Sequence, residues 1–365
     1  MEYILLVVAL PMLWPFVARA LWGRAISLQE LAINMVVAGL LAAGVYGMGR
    51  YYQTADVEVL NGQVLSKASE RVSCSHSYSC NCREVCTGSG QNRSCSTTCD
   101  TCYEHPYDID WVLKTSLGRV EINRVDRQGV YEPARFTRAQ SGDPVAKLHA
   151  FTNYVKGAQE SLFNADKGGA SERYLTQVPA YPAALYDYHY VDRVLSVGVS
   201  VPELNRWNRD LAEMLKRVGP AKEANVVVLF VNNADPNYME SLKKAWLGGK
   251  KNDVVVVFGV TRYPAIEWVR VMSWTDAELF KVQLRDALED LKEVSRQEVL
   301  ATIEKAVANS FQRKHMKDFE YLRSEIAPPA WVIGLAVALG LIVSVVLSMY
   351  FADKFERSPY RSRIR

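Results

Sequence analysis

Three long apolar stretches, Tyr3 to Leu21, Leu28 to Met48 and Ala330 to Ala352, stand out against a chain otherwise patterned for water. At about 1.5 Å per helical residue each can cross a hydrocarbon layer of about 30 Å, so the pattern predicts three transmembrane helices. Most of the chain lies between the second and third, and function is expected there. From Trp111 to Thr115, and again from Val120 to Val125 after Leu117-Gly118, polar and apolar residues alternate, which predicts a β-hairpin. Around Asp143 to Phe163, helical spacing of Val145, Leu148, Phe151, Tyr154 and Val155 predicts a helix, with His149 near its apolar face as a structural histidine.

Beyond Val201 the pattern becomes regular. Pro202 to Val218 predicts an amphipathic helix with Leu204, Trp207, Leu211, Met214 and Leu215 on one side. Asn225 to Val231 and Val254 to Phe258 are uninterrupted apolar runs, as expected of neighbouring strands buried on both faces of a parallel sheet, with a helix from Pro236 to Leu247 between them. Ile266 to Met272 alternates and predicts a third strand antiparallel to the second. Helices are expected over Asp276 to Leu291 and Arg296 to Tyr321. Alternation of strand and helix implies an α/β sandwich.

Charge orients this frame. The third span is followed by Lys354, Arg357, Arg361, Arg363 and Arg365 against only Asp353 and Glu356, and the linker between the first two carries Arg19 and Arg24, while Met1-Glu2-Tyr3 has no Lys or Arg. The positive-inside bias then places the N-terminus and the central region outside and the C-terminus in the cytoplasm. Ala18-Arg19-Ala20 resembles a signal-peptide cleavage site, but an amino end without Lys or Arg favours a retained helix, kinked at Pro11 and Pro15. Glu30 and Asn34 are the weak points of the second span; Gly39, Gly44, Gly47 and Gly49, with Ala38, Ala42 and Ala43, give it small surfaces for helix contact. A net charge of only +3, accounted for by the basic tail, argues against nucleic acid as a partner; the lipid bilayer and other membrane or envelope proteins are the expected ones.

All seven cysteines fall in one Ser, Thr and Gly-rich stretch: Cys74, Cys80, Cys82, Cys86, Cys95, Cys99 and Cys102. So little apolar content requires cross-links. Three disulfides with one thiol left over, available to pair between chains, is one reading, with connectivity open. Zinc is the other, from Cys99, Cys102 and His105 at short spacing with His76 and Cys95 nearby. The outside location favours disulfides. A redox role for Cys99 and Cys102 lacks the helix-start setting it needs. Asn92-Arg93-Ser94 matches a glycosylation acceptor. Tyr174, Tyr181, Tyr186, Tyr188 and Tyr190, with Pro179, Pro182 and His189, form an aromatic stretch read as packing against the main domain, with a partner-binding surface as the alternative.

The helix-strand-helix order leading into Ala245-Trp246-Leu247-Gly248-Gly249-Lys250-Lys251-Asn252-Asp253, the strand after it, Ile266-Glu267-Trp268, and Trp274-Thr275-Asp276-Ala277-Glu278-Leu279 together resemble the TPM domain of extracytoplasmic membrane proteins. The resemblance covers about Val201 to Tyr321. It implies a Rossmann-like sandwich next to a membrane span, and either an assembly role or a divalent-cation-dependent, phosphatase-like activity. Asp235, Asp253, Asp276 and Glu278 are the metal candidates at strand ends, although turn and cap roles explain Asp253 and Asp276 equally. Lys250-Lys251 stands where a divalent ion would prefer carboxylates. The expected organisation is two spans over 1–50, a Cys-rich minidomain with hairpin over 51–135, a helical and Tyr/Pro-rich connection over 136–200, the TPM-like domain over 201–321, the last span over 329–352 and a basic tail over 353–365. Without a nucleophile-base pair, P-loop or dinucleotide fingerprint, a non-enzymatic assembly or interaction factor is the first expectation and a metal-dependent phosphatase-like hydrolase the alternative. Zinc in the cysteine cluster and a divalent cation in the α/β domain are the two cofactor expectations.

Overall fold

The computed structural model describes residues 2–87, 94–158, 169–186, 188–190 and 192–356. The glycosylation pattern at Asn92 and the basic residues from Arg357 onward lie outside them. In chain order, helices α1 (Glu2–Trp22) and α2 (Leu28–Thr54) precede strands β1 (Ala55–Val72), β2 (Ser77–Thr87), β3 (Ser94–Tyr103), β4 (Asp108–Thr115), β5 (Gly118–Ile122) and β6 (Pro144–Thr152). Then come β7 (Val194–Val197), α3 (Leu204–Lys222), β8 (Asn225–Val231), α4 (Tyr238–Ala245), β9 (Asp253–Gly259), β10 (Trp268–Ser273), α5 (Glu278–Glu289), α6 (Arg296–Ser310) and α7 (Ala330–Glu356).

Helices α1, α2 and α7 are each long and apolar enough to cross a membrane. They pack together where side chains are small. A Cβ on Gly39 would meet Met12, and one on Gly340 would meet Pro11, while Val7, Ala42, Tyr46 and Ala336 form a buried cluster. Gly44 and Gly47 face open space instead. Asn34 is no flaw in the second span: its Nδ2 donates to the Ser344 carbonyl and the Ser348 hydroxyl of α7, each at 2.9 Å. Glu30 closes a capping box with Ser27 at the α2 start.

The last helical residue of α2, Thr54, is followed directly by the first residue of β1, so the first sheet starts at the end of the span. Asn153 N–H donates to the Thr54 carbonyl, and Lys156 Nζ donates to the Ala55 carbonyl. Strand β1 is 18 residues long and changes partner along its length. Its first half pairs antiparallel with β6 and its second half with β4, which carries the expected hairpin to β5. The sheet order is β5-β4-β1-β6. The helix expected over Asp143 to Phe163 is therefore mostly strand: residues 144–152 pair with β1, only Tyr154–Gly157 is helical, and residues 159–163 lie outside the described set. Leu148, counted toward an apolar helix face, is in fact exposed. Pairing with a strand about ninety positions away in sequence has overridden a local spacing that fits either period.

The second sheet, in order β10-β9-β8-β7, has β7, β8 and β9 parallel and β10 antiparallel at the edge. Val226, Val228 and Phe230 of β8 and Val254, Val256 and Phe258 of β9 point into one core with residues of α3, α5 and α6. Val227, Leu229, Val255 and Val257 point the other way, against Tyr238, Met239 and Leu242 of α4 and Tyr174, Val178 and Tyr181. Thus two tyrosines of the aromatic stretch cover a sheet face, as the packing reading expects. One expected helix is shorter: α6 stops at Ser310, where the next residue, Phe311, is fully buried and Thr275 bridges to Arg313.

Candidate functional site

Strands β2 and β3 form a hairpin arm with little core beneath it; nearly all of β2 is exposed. Three disulfides cross it: Cys80–Cys102, Cys82–Cys99 and Cys86–Cys95. The cysteine segment is a ladder because cysteines on facing strands meet across it; Cys86 and Cys95 are direct partners in the register. A bulge between Cys80 and Arg83, with Asn81 at φ 49°, adjusts the spacing. Cys99 and Cys102 are thereby spent on Cys82 and Cys80 and cannot ligate zinc; the same holds for Cys95.

Cys74 is the free cysteine, and it is buried. It lies where the chain leaves β1 for the arm, two residues before His76; His105 and Asp108 lie where the chain returns from the arm into β4. The four residues come together, with one ligand-type atom from each lying within 4.8 Å of the other three. Cys74 Sγ is 3.7 Å from His105 Nδ1, which is 3.4 Å from Asp108 Oδ1; His76 Nδ1 is 3.9 Å from Asp108 Oδ2. The Asp108 side chain is fully buried, and its two oxygens differ. Oδ2 accepts from the Ser75 N–H at 2.9 Å, the Ser75 hydroxyl at 2.9 Å and Arg124 at 2.7 Å. Oδ1 accepts no hydrogen bond of normal geometry among the described residues; its neighbour is the His105 ring nitrogen. Burial alone would raise this carboxyl, but the Ser75 N–H, Arg124, the Ser75 hydroxyl and the Cys74 thiol together outweigh it and hold it far below the usual carboxylate range. A cleft of about 440 Å³ beside Cys74 and His105, lined also by Ser73, Tyr103, Glu104 and Pro106, opens the cluster to solvent.

The carboxylates proposed in the α/β unit do not gather. Asp235 follows the end of β8 and Asp253 begins β9, so parallel pairing places them at opposite ends of the sheet. Asp235 accepts from the Asn237 N–H and the Tyr174 hydroxyl, which with Arg173 lower its pKa. Asp253 is buried in turn chemistry: it accepts from Asn225 Nδ2 at 2.9 Å, the Tyr181 hydroxyl at 2.8 Å and the Lys250 N–H at 2.8 Å, while burial pushes its carboxyl up. Asp276 pairs with Lys314 at 3.1 Å and Glu278 with Lys281 at 2.6 Å. The cap-like acceptor before α5 is Thr275 Oγ1, which takes the Ala277 N–H.

The cationic turn has a partner across the molecule. Lys250 meets Asp56, and Lys251 lies 3.3 Å from Glu58, a fully buried residue of β1 that also takes Arg313 and, at 2.8 Å, His149. Asn252 Nδ2 donates to the Val59 carbonyl at 2.7 Å. The residues that depart from a cation-binding turn thus join the two sheets, and His149 is a structural histidine on a strand. No known protein family, curated protein or solved structure matches this chain.

Proposed function

We propose that this chain is a non-enzymatic, membrane-anchored assembly or interaction factor that presents the disulfide arm and a TPM-like, Rossmann-like unit on the extracytoplasmic side. The N-terminus is outside and the C-terminus cytoplasmic. The observation that carries the reading is the arm itself: three disulfides on one exposed hairpin, with Tyr78, Val85 and Tyr103 open to solvent. Cross-linking that buries no core serves to hold a surface in one shape, and a pre-ordered surface loses less entropy when a partner docks. Three disulfides also fit an oxidising compartment, in agreement with the positive-inside bias of the Arg19 and Arg24 linker.

The test is site-specific photo-crosslinking in intact membranes, with the photoreactive residue at Tyr78, Val85 or Tyr103 and, as a control, at Leu279, which is exposed on α5. Discrete adducts from the arm but not from the control support the reading. Absence of adducts at all three arm positions, together with chelator-sensitive phosphoester hydrolysis by the purified chain, would replace it with the hydrolase. Protease added from the outside should cut the central region; cleavage only from the cytoplasmic side inverts the orientation.

A further inference from the structure

We propose that Cys74, His76, His105 and Asp108 form a structural zinc site that clamps the two stems of the disulfide arm where they leave the first sheet. The donor set is the first argument. One thiol, two imidazoles and one carboxylate are ligands that zinc accepts and that calcium or magnesium, which require oxygen shells, do not. Thiolate and carboxylate together neutralise a divalent ion, so the bound site carries no net charge. The thiol proton leaves to solvent on binding.

Geometry is the second argument. Tetrahedral zinc with bonds of about 2.0–2.3 Å keeps neighbouring ligand atoms roughly 3.3–3.7 Å apart. His105 Nδ1 lies 3.4 Å from Asp108 Oδ1 and 3.7 Å from Cys74 Sγ, and all four ligand atoms already fall within 4.8 Å of one another. The widest separation is thus at most about an ångström beyond the tetrahedral spacing, and the His76 ring, 3.9 Å from Asp108 Oδ2, is partly exposed and has room to move.

The third argument is the asymmetry of Asp108. A buried carboxylate oxygen without a donor is costly, and native structures seldom leave one so. Here Oδ2 is saturated by Ser75 and Arg124, while Oδ1 is buried, accepts no hydrogen bond of normal geometry among the described residues, and has the His105 ring nitrogen 3.4 Å away. This is the arrangement of a ligating carboxylate: one oxygen for the metal, the other fixed by outer hydrogen bonds. Position supplies the purpose. The disulfides rigidify the arm internally, but none ties it to the sheet; Cys74 and His76 on the outgoing stem, and His105 and Asp108 on the returning stem, do. Among the described residues, the other cluster of ligand-type side chains, Glu84 with Cys86 and Cys95, has its sulfurs in a disulfide and offers no such set.

The experiment uses the full chain in detergent with its disulfides intact, stripped by a chelator and reloaded with Zn²⁺ or Co²⁺. One zinc per chain should remain after desalting, and the cobalt form should show a thiolate-to-cobalt band with tetrahedral d–d intensity. Cys74→Ser should remove the thiolate band and Asp108→Asn should weaken binding at least about tenfold, whereas the double variant Cys86→Ser, Cys95→Ser should keep both metal and band. Because Cys74→Ser could misfold, alkylation of the wild-type chain gives an independent readout: Cys74 should react only after chelation. No zinc retained at about micromolar free metal, a cobalt spectrum without the thiolate band, equal alkylation with and without zinc, or Cys74 found in a disulfide between chains would each overturn the site.

Discussion

Replacing Glu58 by Ala should unlatch the two sheets. Glu58 is fully buried, and Lys251, Arg313 and His149 converge on its Oε1, while Oε2 has no hydrogen-bond partner among the described residues. The Lys251 and Arg313 side chains are only 10% and 11% exposed, so neither cation is freely hydrated. At an effective dielectric of about 20, a charge pair near 3.3 Å attracts by roughly 5 kcal/mol, much of it offset by desolvation. Truncating one partner of a buried network leaves the others uncompensated and costs roughly 3–5 kcal/mol. Two features pull this case to the lower end. Arg313 keeps Glu223, and Lys251 keeps the face of Phe151 at 4.3 Å. We expect a loss of about 3 kcal/mol, which for a soluble region of this size lowers the thermal midpoint by roughly 6–12 °C. Intrinsic tryptophan fluorescence of the full chain in detergent reads it. The triple variant Glu58→Leu, Lys251→Met, Arg313→Met removes the buried charges together, leaving only the half-exposed Glu223 and His149, and should recover most of the loss. A Glu58→Ala midpoint within about 2 °C of wild type, or a triple variant no better than the single, would show that water reaches the network and that the latch does not hold the sheets.

Val228→Asp or Val256→Asp buries an unpaired carboxylate in a fully enclosed strand and should cost on the order of 5 kcal/mol, seen as lost expression or a collapsed melting transition; an unchanged transition would mean the sheet is open on one face. Asp126 accepts the N–H groups of Tyr131, Val130, Gly129 and Gln128, which lower its pKa. Its contribution to stability is therefore complete above the ordinary carboxylate range and lost as pH falls through the depressed folded value. The urea midpoint of wild type should drop faster than that of Asp126→Asn between about pH 5 and 3, and parallel curves would refute this. Asn34→Leu removes both donations to α7 and should weaken the helix bundle by about 1 kcal/mol in detergent titration; an equal or higher midpoint would show that apolar packing alone suffices. Non-reduced alkylation should leave six cysteines protected from reaction by their disulfides, and more than one cysteine reacting after chelation would contradict the ladder.

What the sequence made legible depended on how completely each element is buried. Val226 to Phe230 and Val254 to Phe258 are covered on both faces, so every position is apolar and the run announces itself. Strand β1 gives no such sign. It carries Asp56, Glu58 and Asn61 because those side chains reach the second unit, and both its partners lie far downstream. The Lys250-Lys251 departure was visible, but its cause is in β1 and could not be read without the pairing. Strand β7 is four residues long and gives no run of the kind that marks its parallel partner, since only the central strands are long apolar runs.

The cysteine stretch shows how one fact of topology reorders the chemistry. Along the chain, Cys99 and Cys102 with His105 look like the start of a zinc site, since short spacing is what a loop-borne site requires. In an antiparallel hairpin, closeness in sequence along one strand ceases to matter, and the facing strand decides: Cys86 stands opposite Cys95, while Cys80 reaches diagonally to Cys102 and Cys82 reaches Cys99 from the bulge. Cys80, Cys82 and Cys86 then find Cys102, Cys99 and Cys95 in nested order. The same register continues toward the sheet: Ser77 stands opposite Tyr103, and Val72 stands opposite Asp108. Between those two pairs the facing residues are Cys74 and His76 on one stem and His105 on the other, with no second cysteine for Cys74 to meet. The ladder that makes six cysteines covalent thus leaves the seventh among two imidazoles and a carboxylate. Asp108, absent from the residues singled out by sequence, completes the set because β4 begins there.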